Sequence, residues 1–167
     1  MARWPERQMW LNPNGRKDEH AASSFYVPVT GVVAFVARSS TASQVRMDIY
    51  KDPDCGCRGA WAAVMVDSDF NVVVRAEDFI AIKVKLGIPE KMQGCHTAVV
   101  GDYFFEGHVP LGAVERLLNE KSAIAGLAVP GMPRGSLGMG DDPTAAFEVY
   151  SLNRPDMEPS LYMRMGS

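Results

Sequence analysis

The chain has 167 residues, of which 47% are hydrophobic and 22% are charged, with a formal net charge of -3. This size and composition fit one ordinary globular domain with an extension. The sequence has no cluster of Lys and Arg that would neutralise phosphates, so we exclude nucleic acid as a partner. Three cysteines are also too few, and odd in number, for a disulfide framework.

The first 42 residues differ from the rest. Polar residues of mixed charge precede an apolar run over residues 25–37. A helix needs about 20 residues to span a bilayer, so we expect no stable membrane span, but the run is long enough for the core of a signal peptide. Ser40 and Ala42 fit a cleavage site after Ala42. We therefore expect residues 1–42 to be a flexible extension or an atypical signal peptide of a periplasmic or otherwise exported protein. The alternatives are an extra strand in a cytoplasmic protein, or a start placed upstream of a shorter leader.

The next residues, 43–152, predict strands that alternate with helices. Residues 45–50 alternate apolar and polar side chains, which indicates a strand, and apolar residues then recur at helical spacing around Trp61. The elements that follow are a strand over 70–75, a helix over 76–86, a hairpin of strands 97–100 and 103–106, and a helix that begins at Pro110. The order β-α-β-α-β-β-α is that of a thioredoxin-like fold. We therefore expect an α/β domain with a central mixed four-stranded sheet flanked by helices.

Beyond residue 120 the sequence predicts less regular structure. Residues 125–140 are dense in Gly and Pro, which indicates a loop, and this loop carries Met132 and Met139. Residues 146–152 predict one further strand. Residues 153–167 have little to bury, so we expect a flexible tail there.

The cysteines carry the chemistry of the chain. Cys55 and Cys57 follow the first predicted strand, and Cys95 precedes His96 at the start of the third. Two thiols one residue apart strain a disulfide but suit a shared soft metal. In a thioredoxin-like layout, the turn after the first strand lies beside the start of the third strand, so the thiols are expected to meet. Thiolates with an imidazole favour Cu(I) or Zn(II), and a methionine thioether favours Cu(I).

Five stretches of the sequence, taken together, match a known family pattern. The matching stretches are Tyr50–Cys57, Trp61, Cys95–Val100, Glu106–Pro110 and Gly126–Met139. Over residues 45–152 they resemble the bacterial family called domain of unknown function 411, whose members are usually labelled metal-binding proteins and include CopG-type copper-resistance proteins. The resemblance implies a thioredoxin-like fold, an exported location and a role in copper handling. The family pattern is Cys-Gly-Cys-Cys, whereas Arg58 occupies the fourth position here. This departure removes one thiolate from any multi-metal site and removes the Cys-x-x-Cys pair of thioredoxin-type exchange.

We predict a non-enzymatic protein that binds Cu(I), with zinc as the alternative metal, and sequesters it or exchanges it with a copper-donor or copper-acceptor protein. The predicted metal ligands are the thiolates of Cys55, Cys57 and Cys95, assisted by His96, His108, Met132 and Met139. Simpler roles are a buried hydrophobe for Cys95, a turn or helix start for His108, and surface packing for the methionines. Two other functions stay open: a thiol-disulfide oxidoreductase with Cys95 as the resolving thiol, and a degenerate scaffold that has lost its metal site.

Overall fold

The fold is described from a computed structural model over residues 44–51, 58–75 and 78–166, with Arg58 as backbone only. The predicted extension over residues 1–42 lies outside these residues, as do Cys55 and Cys57. The described strands are β1 Arg46–Lys51, β2 Asn71–Arg75, β3 His96–Val100, β4 Tyr103–Glu106, β5 Ile124–Ala128, β6 Phe147–Asn153 and β7 Glu158–Met165. The helices are α1 Arg58–Asp67, α2 Phe79–Leu86 and α3 Leu111–Glu120, with a 3₁₀ turn over Glu90–Met92.

All the described strands belong to one mixed sheet, in the order β2-β1-β3-β4-β5-β6-β7. The pairs β1 with β2 and β4 with β5 are parallel, and the other neighbours are antiparallel. The predicted α/β class is confirmed. The predicted count of four strands is wrong, because the chain returns to the sheet after α3 and adds three strands beside β4.

The strand β5 lies where the sequence predicts a loop. Its sequence, Ile-Ala-Gly-Leu-Ala, is poor in the β-branched and aromatic residues that favour strands. Small residues are needed here because the neighbouring strand packs very closely. A Cβ added at Gly126 would lie 2.8 Å from the ring of Phe104. Close packing between β4 and β5, rather than strand propensity, therefore explains why this segment forms a strand.

The strand β7 occupies most of the predicted flexible tail, so that prediction is wrong for Glu158–Met165. This strand pairs with β6 along its length, and β6 itself confirms the further strand predicted over 146–152. Tyr162, Met163 and Met165 pack against the core. Pro159 is compatible with β7 because an edge strand has one side without ladder hydrogen bonds.

The helices α1 and α3 cover one face of the sheet. Trp61 and Met65 of α1 and Leu117 of α3 belong to the main core cluster. A second cluster lies on the other face, as the alternation of Phe105 in the first cluster and Phe104 in the second shows. No helix among the described residues is long and apolar enough to cross a membrane.

The helix α2 is present where predicted, but it packs through an unexpected side. Asp78 caps its start by accepting hydrogen bonds from two backbone N–H groups, and Gly87 ends it in the left-handed conformation with φ of 69°. Lys83 is only 1% exposed, whereas Ile80 is 50% and Val84 is 73% exposed. A charged residue therefore lies on the buried side of α2, where the sequence pattern predicts apolar side chains.

Candidate metal centre

The β3–β4 hairpin brings three predicted ligands together. Its register pairs Thr97 with Glu106. One step further along, the N–H of Gly107 donates to the carbonyl of His96 at 2.8 Å. Cys95 and His108 are the next residues outward on the two strands. Antiparallel pairing thus places side chains that are 13 positions apart at one end of the hairpin.

The sulfur of Cys95 lies between the two imidazoles. Its Sγ is 3.2 Å from Nδ1 of His96 and 3.2 Å from Nε2 of His108. One ligand atom from each of the three residues lies within 4.8 Å of the others. A soft or borderline metal ion binds sulfur at about 2.3 Å and nitrogen at about 2.0 Å, so this group is compact enough to share one ion.

Burial keeps His96 in the form that binds metals. The residue is 1% exposed. Loss of solvation, followed by the electrostatic effects of His108 and Lys83, lowers the pKa of His96 to about 3. The imidazole is therefore neutral at physiological pH, as a ligand must be. Within the described part of the chain, Nε2 of His96 is buried without a hydrogen-bond partner.

A backbone carbonyl fixes the tautomer of His108. Its Nδ1 lies 2.7 Å from the carbonyl oxygen of Leu137. A carbonyl oxygen only accepts hydrogen bonds, so Nδ1 carries the proton and Nε2 presents its lone pair to the sulfur of Cys95. This partner on the second nitrogen is typical of metal-binding histidines. It also connects the loop after β5 to the site.

Trp61 supports the site from α1. Its ring lies 4.7 Å from the ring of His96, with a tilt of 53° between the planes. Its Nε1–H donates to the carbonyl of Val109 at 2.8 Å. Trp61 is buried in the main core. It therefore holds both the imidazole of His96 and the chain just after His108.

The loop with the two methionines runs past the same region. Gly131 pairs with Gly94, and a Cβ added at Gly138 would lie 2.9 Å from the backbone nitrogen of Trp61. Met132 is 55% exposed, and Met139 is partly buried in a turn closed by its N–H and the carbonyl of Ser136. The structure thus places their loop beside the site, and the ligand role of either thioether stays a prediction.

A buried charged cluster next to the site is absent from the sequence-based predictions. Lys83 forms an ion pair with Glu106, and both side chains are almost fully buried. Burial raises the pKa of Glu106, and the Lys83 ammonium opposes that rise. The sequence signal for this cluster is a lysine in the middle of the apolar stretch of α2. A lysine in a helix usually faces solvent, so this signal does not distinguish a buried ion pair from an ordinary surface residue.

The comparisons with known proteins concern the same region. The family model described as "Protein of unknown function, DUF411" matches residues 92–139, which include Cys95, His96 and His108. No curated protein sequence matches the chain.

Two solved structures match over most of the described domain. One is titled "Copper resistance protein copG- Form 1" and is 34% identical, with a TM-score of 0.68, over 74% of this chain and 99% of that chain. The other, titled "Copper resistance protein copG- Form 2", is 36% identical, with a TM-score of 0.65, over 72% of this chain and 98% of that chain. Nearly the whole length of both proteins is therefore represented here at substantial identity, and the chain belongs to the DUF411 family of CopG-type proteins.

Proposed function

We propose that this protein binds Cu(I) and sequesters or transfers it in copper resistance, without catalysing a reaction. The observation that carries the proposal is the sulfur of Cys95 lying 3.2 Å from a ring nitrogen of each of His96 and His108. A thiolate and neutral imidazoles are ligands that suit Cu(I), and zinc is the alternative ion for the same donors. The titles of the two similar structures support copper as the cargo.

Cys55 and Cys57 are assigned the remaining thiolates from the sequence. They precede α1, whose Trp61 packs against His96. With Arg58 in place of a further cysteine, the chain has three thiolates in all. This set suits a site for few ions better than a large cluster, because each bridging position in a cluster needs a thiolate. Met132 and Met139 are proposed as supplementary soft ligands.

The proposal includes a thioredoxin-like arrangement for the first four strands. The order β2-β1-β3-β4, with β1 parallel to β2 and with β3 antiparallel to both β1 and β4, supports it. In this view, β5, β6 and β7 are an addition to that core. The signal-peptide pattern in residues 1–42 supports export, which N-terminal sequencing of the protein purified from cells would test.

Anaerobic titration with Cu(I) against a competing chelator tests the function. We expect tight, nearly stoichiometric uptake, and at least a tenfold loss of affinity in Cys95→Ser and in His108→Gln. The matched control, made like the other variants in the uncleaved chain, is His20→Gln, because His20 lies in the predicted leader and should not affect uptake. A parallel Zn(II) titration separates the two metals.

Two results would contradict the proposal. The first is absence of Cu(I) uptake by the wild-type protein at neutral pH. The second is catalysed reduction of insulin disulfides in the presence of dithiothreitol, which would replace the non-enzymatic role with thiol exchange.

A further inference from the structure

The charged cluster beside the metal centre is closed and fully hydrogen-bonded. The ammonium of Lys83 donates to Glu106, to Thr97 Oγ1 at 3.0 Å and to the carbonyl of Gly94 at 3.3 Å. Glu106 also accepts from the hydroxyl of Thr97 at 2.5 Å and from the N–H of Gly94 at 2.6 Å. Every donor of the ammonium is used. Such a network fixes its members because each lost bond would leave a buried polar group unpaired.

The groups that the cluster holds flank the predicted ligands. Gly94 directly precedes Cys95, and Thr97 directly follows His96. Glu106 itself lies two residues before His108. The carboxylate of Glu106 therefore connects the backbone in front of Cys95 to the end of the strand that leads to His108.

Close packing leaves this part of the backbone little room. A Cβ added at Gly94 would lie 2.7 Å from Cα of Gly107, and a Cβ added at Gly107 would collide with the carbonyl of Val129. The two glycines thus allow the start of β3 and the end of β4 to lie close together. The Glu106 carboxylate holds Gly94 near Gly107 by accepting a hydrogen bond from its N–H. The side chains of Cys95 and His108 start from these two held segments.

We propose that Glu106, neutralised by Lys83, is a positioning residue that sets the separation of Cys95 from His108 before a metal ion arrives. This inference rests on the proposed function, because it concerns the affinity of the same site. A positioned site loses less conformational entropy on binding, and its affinity is higher for that reason. A buried ion pair that served stability alone would be replaceable by apolar residues without loss of affinity.

Two double variants separate these roles. Lys83→Met with Glu106→Gln removes both charges but keeps a side-chain oxygen that can accept from the N–H of Gly94. Lys83→Met with Glu106→Leu removes both charges and that acceptor. Neither leaves an ammonium buried without a counter-charge. We expect the glutamine variant to bind Cu(I) within about threefold of the wild type, and the leucine variant to lose at least tenfold.

A second measurement needs no copper. Long-range ¹H–¹⁵N spectra of the metal-free protein report the tautomer and environment of each imidazole. We expect the wild type and the glutamine variant to show one ordered state for His108 with its proton on Nδ1, and the leucine variant to show averaged nitrogen shifts. Leu152→Ala, a core truncation in the second cluster, controls for lost stability and should change neither the spectra nor the affinity.

The outcomes distinguish the two proposals. If the wild type took up no Cu(I) but the leucine variant alone lost the ordered imidazole, the copper function would fall and the positioning role would stand. If copper bound equally well to both double variants and their imidazole spectra matched, the positioning role would be overturned while the copper function stood. Equal losses in the leucine variant and in Leu152→Ala would also overturn it.

Discussion

Replacing Trp61 by Phe tests how much the support behind His96 contributes. The substitution removes the indole N–H that donates to the carbonyl of Val109 at 2.8 Å, and Val109 is fully buried. Leaving a buried acceptor without its donor costs about 1–3 kcal/mol. The reduced ring contact with His96 costs about 0.5–1.5 kcal/mol more. We expect the free energy of unfolding to fall by about 1.5–4.5 kcal/mol. The melting temperature should then fall by about 6–18 °C, since a domain of this size loses roughly 4 °C per kcal/mol.

The assay is thermal unfolding of the metal-free protein, followed by circular dichroism. Tyr103→Phe is the matched control, because it also removes an aromatic donor to a backbone carbonyl, that of Ser122 at 2.9 Å. Both residues of that pair are partly exposed, so water can replace the lost bond and about 0.5–1.5 kcal/mol should be lost. If Trp61→Phe lowered the melting temperature no more than Tyr103→Phe, the reasoning from burial would be refuted.

Three further predictions concern stability. Glu106→Gln alone should cost about 3–5 kcal/mol in urea unfolding, because it leaves the buried Lys83 ammonium without a counter-charge, and adding Lys83→Met should recover much of that loss. Gly107→Ala should lower the melting temperature, since its φ of 70° and a nearby backbone carbonyl both exclude a Cβ, whereas Gly112→Ala in α3, with open space around it, should not. The folded pKa of His96, about 3, lies below its ordinary value of 6.5, so the neutral ring stabilises the fold fully above pH 6.5 and progressively less as the pH falls towards 3. At 1.36 kcal/mol per pKa unit, the metal-free protein should lose about 2 kcal/mol between pH 7 and pH 5, and an unchanged loss in His96→Gln would contradict this origin.

The sequence was sufficient to locate the elements from β1 to α3, because apolar stretches and the Gly and Pro residues between them mark where each element lies. The apolar residues of α2 do not, however, mark its buried side. The sequence failed for β5 because Gly126 and the alanines around it are chosen for close approach to Phe104, which only the assembled sheet reveals. It failed for β7 because an edge strand is half exposed, and its apolar residues therefore resemble those of an irregular tail.

The arrangement of the candidate metal centre was predictable in part. Cys95 and His96 are adjacent in the sequence, and the hairpin signal at Gly101-Asp102 is enough to bring His108 back beside them. The Lys83–Glu106 pair was not predictable, because charged residues on a helix and at a strand end are normally exposed. Only the three-dimensional pairing of α2 with the hairpin shows that each neutralises the other.

The hydrogen bond from His108 to the carbonyl of Leu137 affects which positions of this loop tolerate substitution. The acceptor is a main-chain oxygen, so the hydrogen bond itself does not depend on the side chain at position 137, which packs against the main core. The constraint falls instead on Gly138, whose φ of 87° and contact with the backbone of Trp61 exclude a side chain. A mutational scan would therefore find position 138 intolerant of any side chain, whereas position 137 should accept other apolar side chains that keep its packing against the core, although it is residue 137 that orients the imidazole.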